Sequence, residues 1–228
     1  MKLGIVSDIH EAVELLDVAL AGFRRAGVDR VVTLGDLFET GPRLERTVEL
    51  LEAAGAVGVY GNHDHGLCVD PSPFALERYS RRVFDYMATL LPRMEIDGFL
   101  LAHREPWLDC REITDIWHAD ERPLTPDLIA RSFDATPHHA ILIGHFHRWL
   151  ALDRRGPLPW DGREPFRFRP EAPTMMVVHA VCDGYAAILD TGTGRLDPLD
   201  LYADAGWARP QGRPLPVLCD HSEPRTAP

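Results

Sequence analysis

The stretch AVGVYGNHDH, residues 56–65, decides how this chain is read. An apolar run this short, closed by turn-forming residues, reads as a buried strand. The strand, taken as Ala56–Tyr60, ends on a crowd of hydrogen-bonding side chains around Gly61: Tyr60, Asn62, His63, Asp64 and His65. Buried polar groups need partners, so such an ending implies something other than solvent that satisfies them.

The same device recurs on both sides. Leu3–Ser7 leads into Asp8-Ile9-His10, and Arg30–Leu34 leads into Gly35-Asp36. Between these runs, Glu11–Ala26 carries Val13, Leu16, Leu20 and Phe23 at helical spacing, and Leu44–Ala54 carries Val48, Leu50 and Leu51. The first 60 residues therefore predict a βαβαβ unit with parallel strands and right-handed crossovers, at first reading an open α/β sheet. Downstream, Phe99–Ala102 stops at His103, and Ala140–Ile143 stops at Gly144-His145-Phe146-His147.

The rest of the chain is less regular. Ser72–Leu91 reads as a helix started by a Ser72 cap and Pro73, with Leu76, Tyr79, Val83, Phe84 and Met87 on one side. A further helix is expected over Pro126–Phe133. Arg154–Pro173 is rich in Pro, Gly and Arg and reads as a loop. Thr174–Val181 and Tyr185–Leu189 read as a hairpin around Asp183-Gly184. Residues 206–228 hold many prolines and few core formers and read as an extended tail.

Composition narrows the functions. A chain of 228 residues with 45% hydrophobic content suits one globular domain. The net charge of -11, with Lys2 the only lysine, opposes a broad phosphate-tracking surface and so disfavours nucleic acid as a partner. Cys68, Cys110, Cys182 and Cys219 lack any C-x-x-C spacing and read as buried free thiols. The apolar start is too short for a signal peptide, and no run approaches the ~18 apolar residues of a membrane helix. A cytoplasmic protein without a membrane partner is expected.

Five polar clusters, each at the carboxyl end of an expected strand, place chemistry at one sheet edge. Asp8, His10, Asp36, Asn62, His103, His145 and His147 mix imidazole with carboxylate and amide oxygen. Such a set suits transition metals rather than Mg or Ca, and it is large enough for two ions. Asp8/His10 and His145/His147 are separated by one residue, so in extended chain both members would point the same way.

The blocks D-x-H, GD, GNH[DE], H and GHxH, all present in this order from Asp8 to His147, resemble the calcineurin-like metallophosphoesterase pattern. The resemblance implies an α/β fold in which two mixed sheets form a β-sandwich flanked by helices, an αββα stack that replaces the open sheet. Residues 1–205 would form that domain, with a helical cap insertion near 66–95, a loop or lid at 151–173 and a Pro-rich tail at 206–228. It further implies two divalent ions among Mn, Fe, Zn, Co and Ni, with Mn or Fe favoured. Asp8, His10, Asp36 and His147 would hold the first, and Asp36, Asn62, His103 and His145 the second. Asp36 would bridge them, a metal-bridging hydroxide would attack the phosphorus, and unligated His63 would contact the phosphate or protonate the leaving alcohol. Asp64 would support the loop or a ligand.

Other residues are weighed beside these. Glu39 would orient His63, as an acid does in the protein phosphatase branch, although Thr40 stands where that branch has a phosphate-binding arginine. Arg148, Arg104 and His65 are candidate substrate contacts, and Trp107 could stack on a base. His118, His138, His139, His179 and His221 read as structural or exposed. The N-P-G-S stretch of many small bacterial phosphodiesterases is missing. The expected activity is hydrolysis of a phosphomonoester or phosphodiester of a nucleotide or other small molecule, and the apolar helix after the cap would serve a homodimer or cover the sandwich. A nuclease and a non-catalytic scaffold are the alternatives.

Overall fold

The computed structural model describes residues 1–117 and 125–210. The expectations for His118, Cys219, His221 and residues 211–228 lie outside them. The chain opens with β1 (Lys2–Val6), α1 (Val13–Ala26), β2 (Arg30–Thr33), α2 (Leu44–Ala53) and β3 (Val57–Gly58). Three helices follow, α3 (His65–Cys68), α4 (Pro73–Arg78) and α5 (Arg81–Met87), then β4 (Arg93–Ile96) and β5 (Phe99–Ala102). Next come α6 (Ile113–Ile116), α7 (Pro126–Asp134), β6 (Ala140–Ile143), β7 (Leu150–Asp153), β8 (Gly156–Pro157) and β9 (Phe166–Arg167). The fold closes with β10 (Thr174–Val177), a 3-10 turn at Val181–Asp183, β11 (Tyr185–Asp190), β12 (Arg195–Asp200) and α8 (Leu201–Ala205).

These strands form two sheets of six, ordered β3-β2-β1-β11-β12-β9 and β4-β5-β6-β10-β7-β8. Within them β3-β2-β1 and β5-β6-β10 run parallel, and the outer pairings are antiparallel. Strand periodicity explains the stacking. Leu3, Ile5, Val32 and Leu34 of the first sheet face Leu101, Leu142, Met176 and Val178 of the second across one buried cluster. The alternate residues Val6 and Val31 pack outward against Leu16, Phe23, Val48 and Met87 of the helices. On the far side Ile141, Ile143 and Val177 pack against Ile129 and Phe133 of α7. Both faces of each sheet are thus covered, which is why the strands read as unbroken apolar runs.

Several local expectations change. The Asp183-Gly184 hairpin does not form, because β10 and β11 lie in different sheets and His179–Gly184 crosses between them. The hairpins are β4–β5 around Asp97 and Gly98, both with positive φ, β7–β8, and β11–β12 across residues 191–194. The 151–173 segment is not one loop. It completes β7, adds β8, and carries β9 over to the first sheet.

The single helix over 72–91 breaks at Tyr79. There Ser80 acts as a second N-cap, accepting from the Val83 N–H while Glu45 accepts from both its N–H and its hydroxyl. α5 packs against α2 and α3, whereas α4 buries no side chain and leaves Leu76 exposed. No helix among the described residues is long and apolar enough to cross a membrane.

Candidate metal centre

The loops leaving β1, β2, β3, β5 and β6 bring all seven expected donors to one edge of the sandwich. They do so by strained turns rather than by extended chain. Asp8, His10, Asp36, His145 and His147 all have φ between 44° and 69°, a left-handed region that side-chain-bearing residues occupy at a cost of about 1–3 kcal/mol each. The D-x-H and H-x-H pairs converge because their backbone coils, which corrects the extended-chain expectation. Gly61 fits here for want of a Cβ, since one would collide with Asp36 Oδ1 and lie 2.6 Å from the Asp36 nitrogen.

The donors fall into two adjoining sets. Asp8, His10 and His147 offer ligand atoms within 4.8 Å of one another, as do Asp36, His103 and His145, and His63 with His10 and Asp36 and the trio His147, Cys182 and Asp183 are grouped as closely. In the first, His10 Nε2 is 3.2 Å from His147 Nε2, which is 3.4 Å from Asp8 Oδ1. In the second, Asn62 Oδ1 lies 2.9 Å from both His103 Nε2 and His145 Nδ1. Asp36 Oδ2 stands between the sets, 3.7 Å from His10 Nε2 and 3.4 Å from His103 Nε2.

An outer layer aims these groups. His103 Nδ1 donates to the Leu34 carbonyl at 2.8 Å, which fixes the ring and aims Nε2 at Asp36 and Asn62. His147 Nδ1 faces Asp183 Oδ2 at 3.2 Å. Asp8 accepts from the Ser7 hydroxyl and the His145 N–H. Asp64, fully buried, accepts from the Gly61, Leu37 and Phe38 N–H groups and so ties the third loop to the second.

Charges compensate one another in this pocket. Burial pushes the Asp8 carboxyl up, but the His147 hydrogen bond and the charges of His147, His103 and His10 hold it well below the carboxylate range. Burial likewise opposes ionisation of Asp36, and His103 again keeps its pKa low. His103 in turn resists its burial through Asp36 and rises to about 9. Burial, with the Arg104 charge, holds His145 well below its usual value. His63 is lowered mainly by burial. Burial and the Asp36 charge raise Asp64 to about 6. Two buried carboxylates thus require positive charge, and the donor set of imidazoles, carboxylates and one amide oxygen is the chemistry that divalent transition metals take.

The remaining expected residues divide. Glu39 Oε2 is 3.6 Å from His63 Nδ1 but only 2.8 Å from His10 Nδ1, although off the hydrogen-bond direction there. It lies nearer the outer nitrogen of His10 than the residue it was expected to orient. Arg148 is half-buried, and its Nε and one terminal nitrogen have no partner among the described residues. Arg104 is fully enclosed, bonded to Glu105 and the Ile116 carbonyl, and it reaches the site through its charge on His145 rather than as an exposed substrate contact. His65 is also buried, with Nε2 3.0 Å from the Arg111 carbonyl. Trp107 stacks under the Arg131 guanidinium at 3.9 Å and lines an open cleft of about 680 Å³ that none of the metal donors lines.

Three contributors escaped sequence reasoning. Asp183 reads as a turn residue, and only the crossing of the sheets reveals its contact with His147. Glu11 follows the D-x-H block and accepts from the Glu39, Gly41 and Arg43 N–H groups, which fixes the loop that carries Glu39. Trp117 meets the His63 ring at 5.2 Å. Of the histidines read as structural, His138 pairs with Glu95, and His179 is buried against Tyr185.

Two mixed sheets with helices on both outer faces, carrying Asp, His and Asn donors on the loops at one edge, define the metallophosphoesterase class of fold. The chain belongs to the calcineurin-like phosphoesterase superfamily, whose domain model matches residues 1–180. It is 32% identical over 65 residues to an uncharacterized protein of Methanocaldococcus jannaschii, a match that spans 28% of this chain and 27% of that one. Among solved structures it resembles a metallophosphoesterase from Sphaerobacter thermophilus, with TM-score 0.70 and 21% identity over 91% of this chain and 95% of that one. It also resembles an archaeal phosphodiesterase, with TM-score 0.50 and 16% identity over 87% and 99% of the two chains.

Proposed function

We propose that the protein is a metal-dependent phosphoric ester hydrolase acting on a small-molecule phosphomonoester or phosphodiester. The observation that carries this is the placement of Asp36 Oδ2 between the two donor sets, 3.7 Å from His10 Nε2 and 3.4 Å from His103 Nε2. Asp8, His10, Asp36 and His147 would hold one divalent ion, and Asp36, Asn62, His103 and His145 the other, with Mn or Fe favoured. When bound, the ions supply Lewis acidity and a water acidic enough to ionise near neutral pH.

The chain's own groups do the rest. His63 belongs to neither four-residue set, although it stands within reach of His10 and Asp36, and at 30% exposed its ring can meet substrate. Its lowered pKa keeps it mostly neutral at pH 7, where its single ring N–H donates to a phosphoryl oxygen or to the oxygen of the departing alcohol, and full proton transfer to that alcohol would draw on the imidazolium form. Arg148 is the candidate for a second phosphate oxygen, which its buried, unpartnered nitrogens would reach once the side chain swings outward. Glu39 steadies His10 from behind, with His63 its secondary contact.

The test is hydrolysis of aryl phosphomonoesters, aryl phosphodiesters and a nucleotide panel with and without added Mn. Turnover should need the metal, fall by about a hundredfold or more in His63→Ala, and vanish in Asp36→Asn. Retained turnover in either variant contradicts the mechanism. A nuclease is disfavoured by the net charge of -11, and a decayed scaffold by the intact donor set.

A further inference from the structure

The imidazoles of the site form a row that ends on an indole. Ring centroids are 5.1 Å apart between His147 and His10, 4.7 Å between His10 and His63, and 5.2 Å between His63 and Trp117. Trp117 closes α6, whose Ile116 is buried and anchors it, while Trp117 is 51% exposed and Ile113, one turn earlier, is 57% exposed. Among the described residues, the His63 ring also meets His10 and Glu39, and its backbone N–H donates to Asp36, so polar groups flank it on the metal side. An exposed apolar ledge on the rim of such a polar site marks a ligand contact.

We infer that Trp117, with Ile113, is the wall on which the leaving group's aromatic ring stacks, and that the class it selects is a nucleoside. This rests on the phosphoesterase reading above, in which His63 serves the departing oxygen. The indole stands one ring beyond that histidine, outward from the donors, where the part of the substrate distal to the scissile bond must lie. With half of its surface exposed and its ring tilted 44° from His63, the indole offers apolar area to a base. Such stacking is tolerant of base identity, because every base has a π-face. The wall would therefore prefer nucleosides to alkyl alcohols without strongly ranking the bases.

The test is calorimetric titration of the Mn-supplemented full chain with adenosine and cytidine monophosphates, glycerol phosphate and phenyl phosphate. Both nucleotides should bind about fivefold to a hundredfold more tightly than glycerol phosphate. Trp117→Ala should erase most of that preference and Trp117→Phe should keep most of it, with melting curves confirming that both fold. The inference is overturned if the preference is absent in the wild type, survives in Trp117→Ala, or disappears only because all affinities fall together. It is equally overturned if phenyl phosphate alone responds, since the ring would then sit directly on the leaving oxygen. Because the readout is binding, a lack of turnover would count against the hydrolase reading and not against the wall.

Discussion

Three histidines of the site have a group behind the outer nitrogen. The Leu34 carbonyl fixes His103, Asp183 fixes His147, and Glu39 lies behind His10. Outer partners of this kind are worth about 10–100-fold in metal affinity. Asp183→Ala should therefore weaken binding of the first ion by that factor in a Mn titration, and a variant that binds as the wild type does would remove Asp183 from the account.

His179 offers a test of burial itself. Burial lowers its pKa from 6.5 to about 4, so the neutral ring stabilises the fold fully above pH 6.5, and that contribution is lost as pH falls toward 4. Between pH 7 and pH 5 the wild type should lose about 2 kcal/mol from this group. His179→Phe keeps an aromatic ring against Tyr185 but cannot take a proton, so its urea midpoint should fall less over the same interval. Parallel pH curves would contradict the argument.

At the scale of elements, the strand ends determine what the site can do. Gly61→Ala would drive a methyl group into Asp36 and should cost at least tenfold in metal affinity, whereas a loss of stability with metal affinity unchanged would show that Asp36 had escaped the clash. The strands that build the site were legible because burial on both faces leaves plain apolar runs closed by donors. β4 and β12 were not legible. β4 is a half-exposed edge, and β12 contains Pro198, a residue that argues against a strand; β9 pairs only with Arg195 and Leu196 and leaves that proline at an unpaired margin. The Ser80 break likewise hid inside a helical pattern that continued on both sides of it.

For the whole molecule, the repeated motif order carried more than periodicity could. Local patterning alone predicted an open sheet, because which sheet a strand joins depends on contacts far apart in sequence. β1 pairs with β11, and β10 crosses away from it, through residues that look locally like a hairpin. The resemblance supplied the sandwich and the donors, but not the groups that reach the site from those distant crossings, Asp183 and Trp117 among them. Folding assembles the donors from loops along most of the described chain, so bound metal should stabilise the entire domain. Chelation should lower the melting temperature, and Mn should restore it.

In the proposed centre one carboxylate, Asp36, serves two ions. The direct measurement is the number of Mn ions bound per chain at saturation, in wild type and in Asp36→Asn. The account predicts two in the wild type and a loss of affinity at both sites in the variant. A wild-type chain that saturates with one ion, or a variant that still binds two with undiminished affinity, would contradict it.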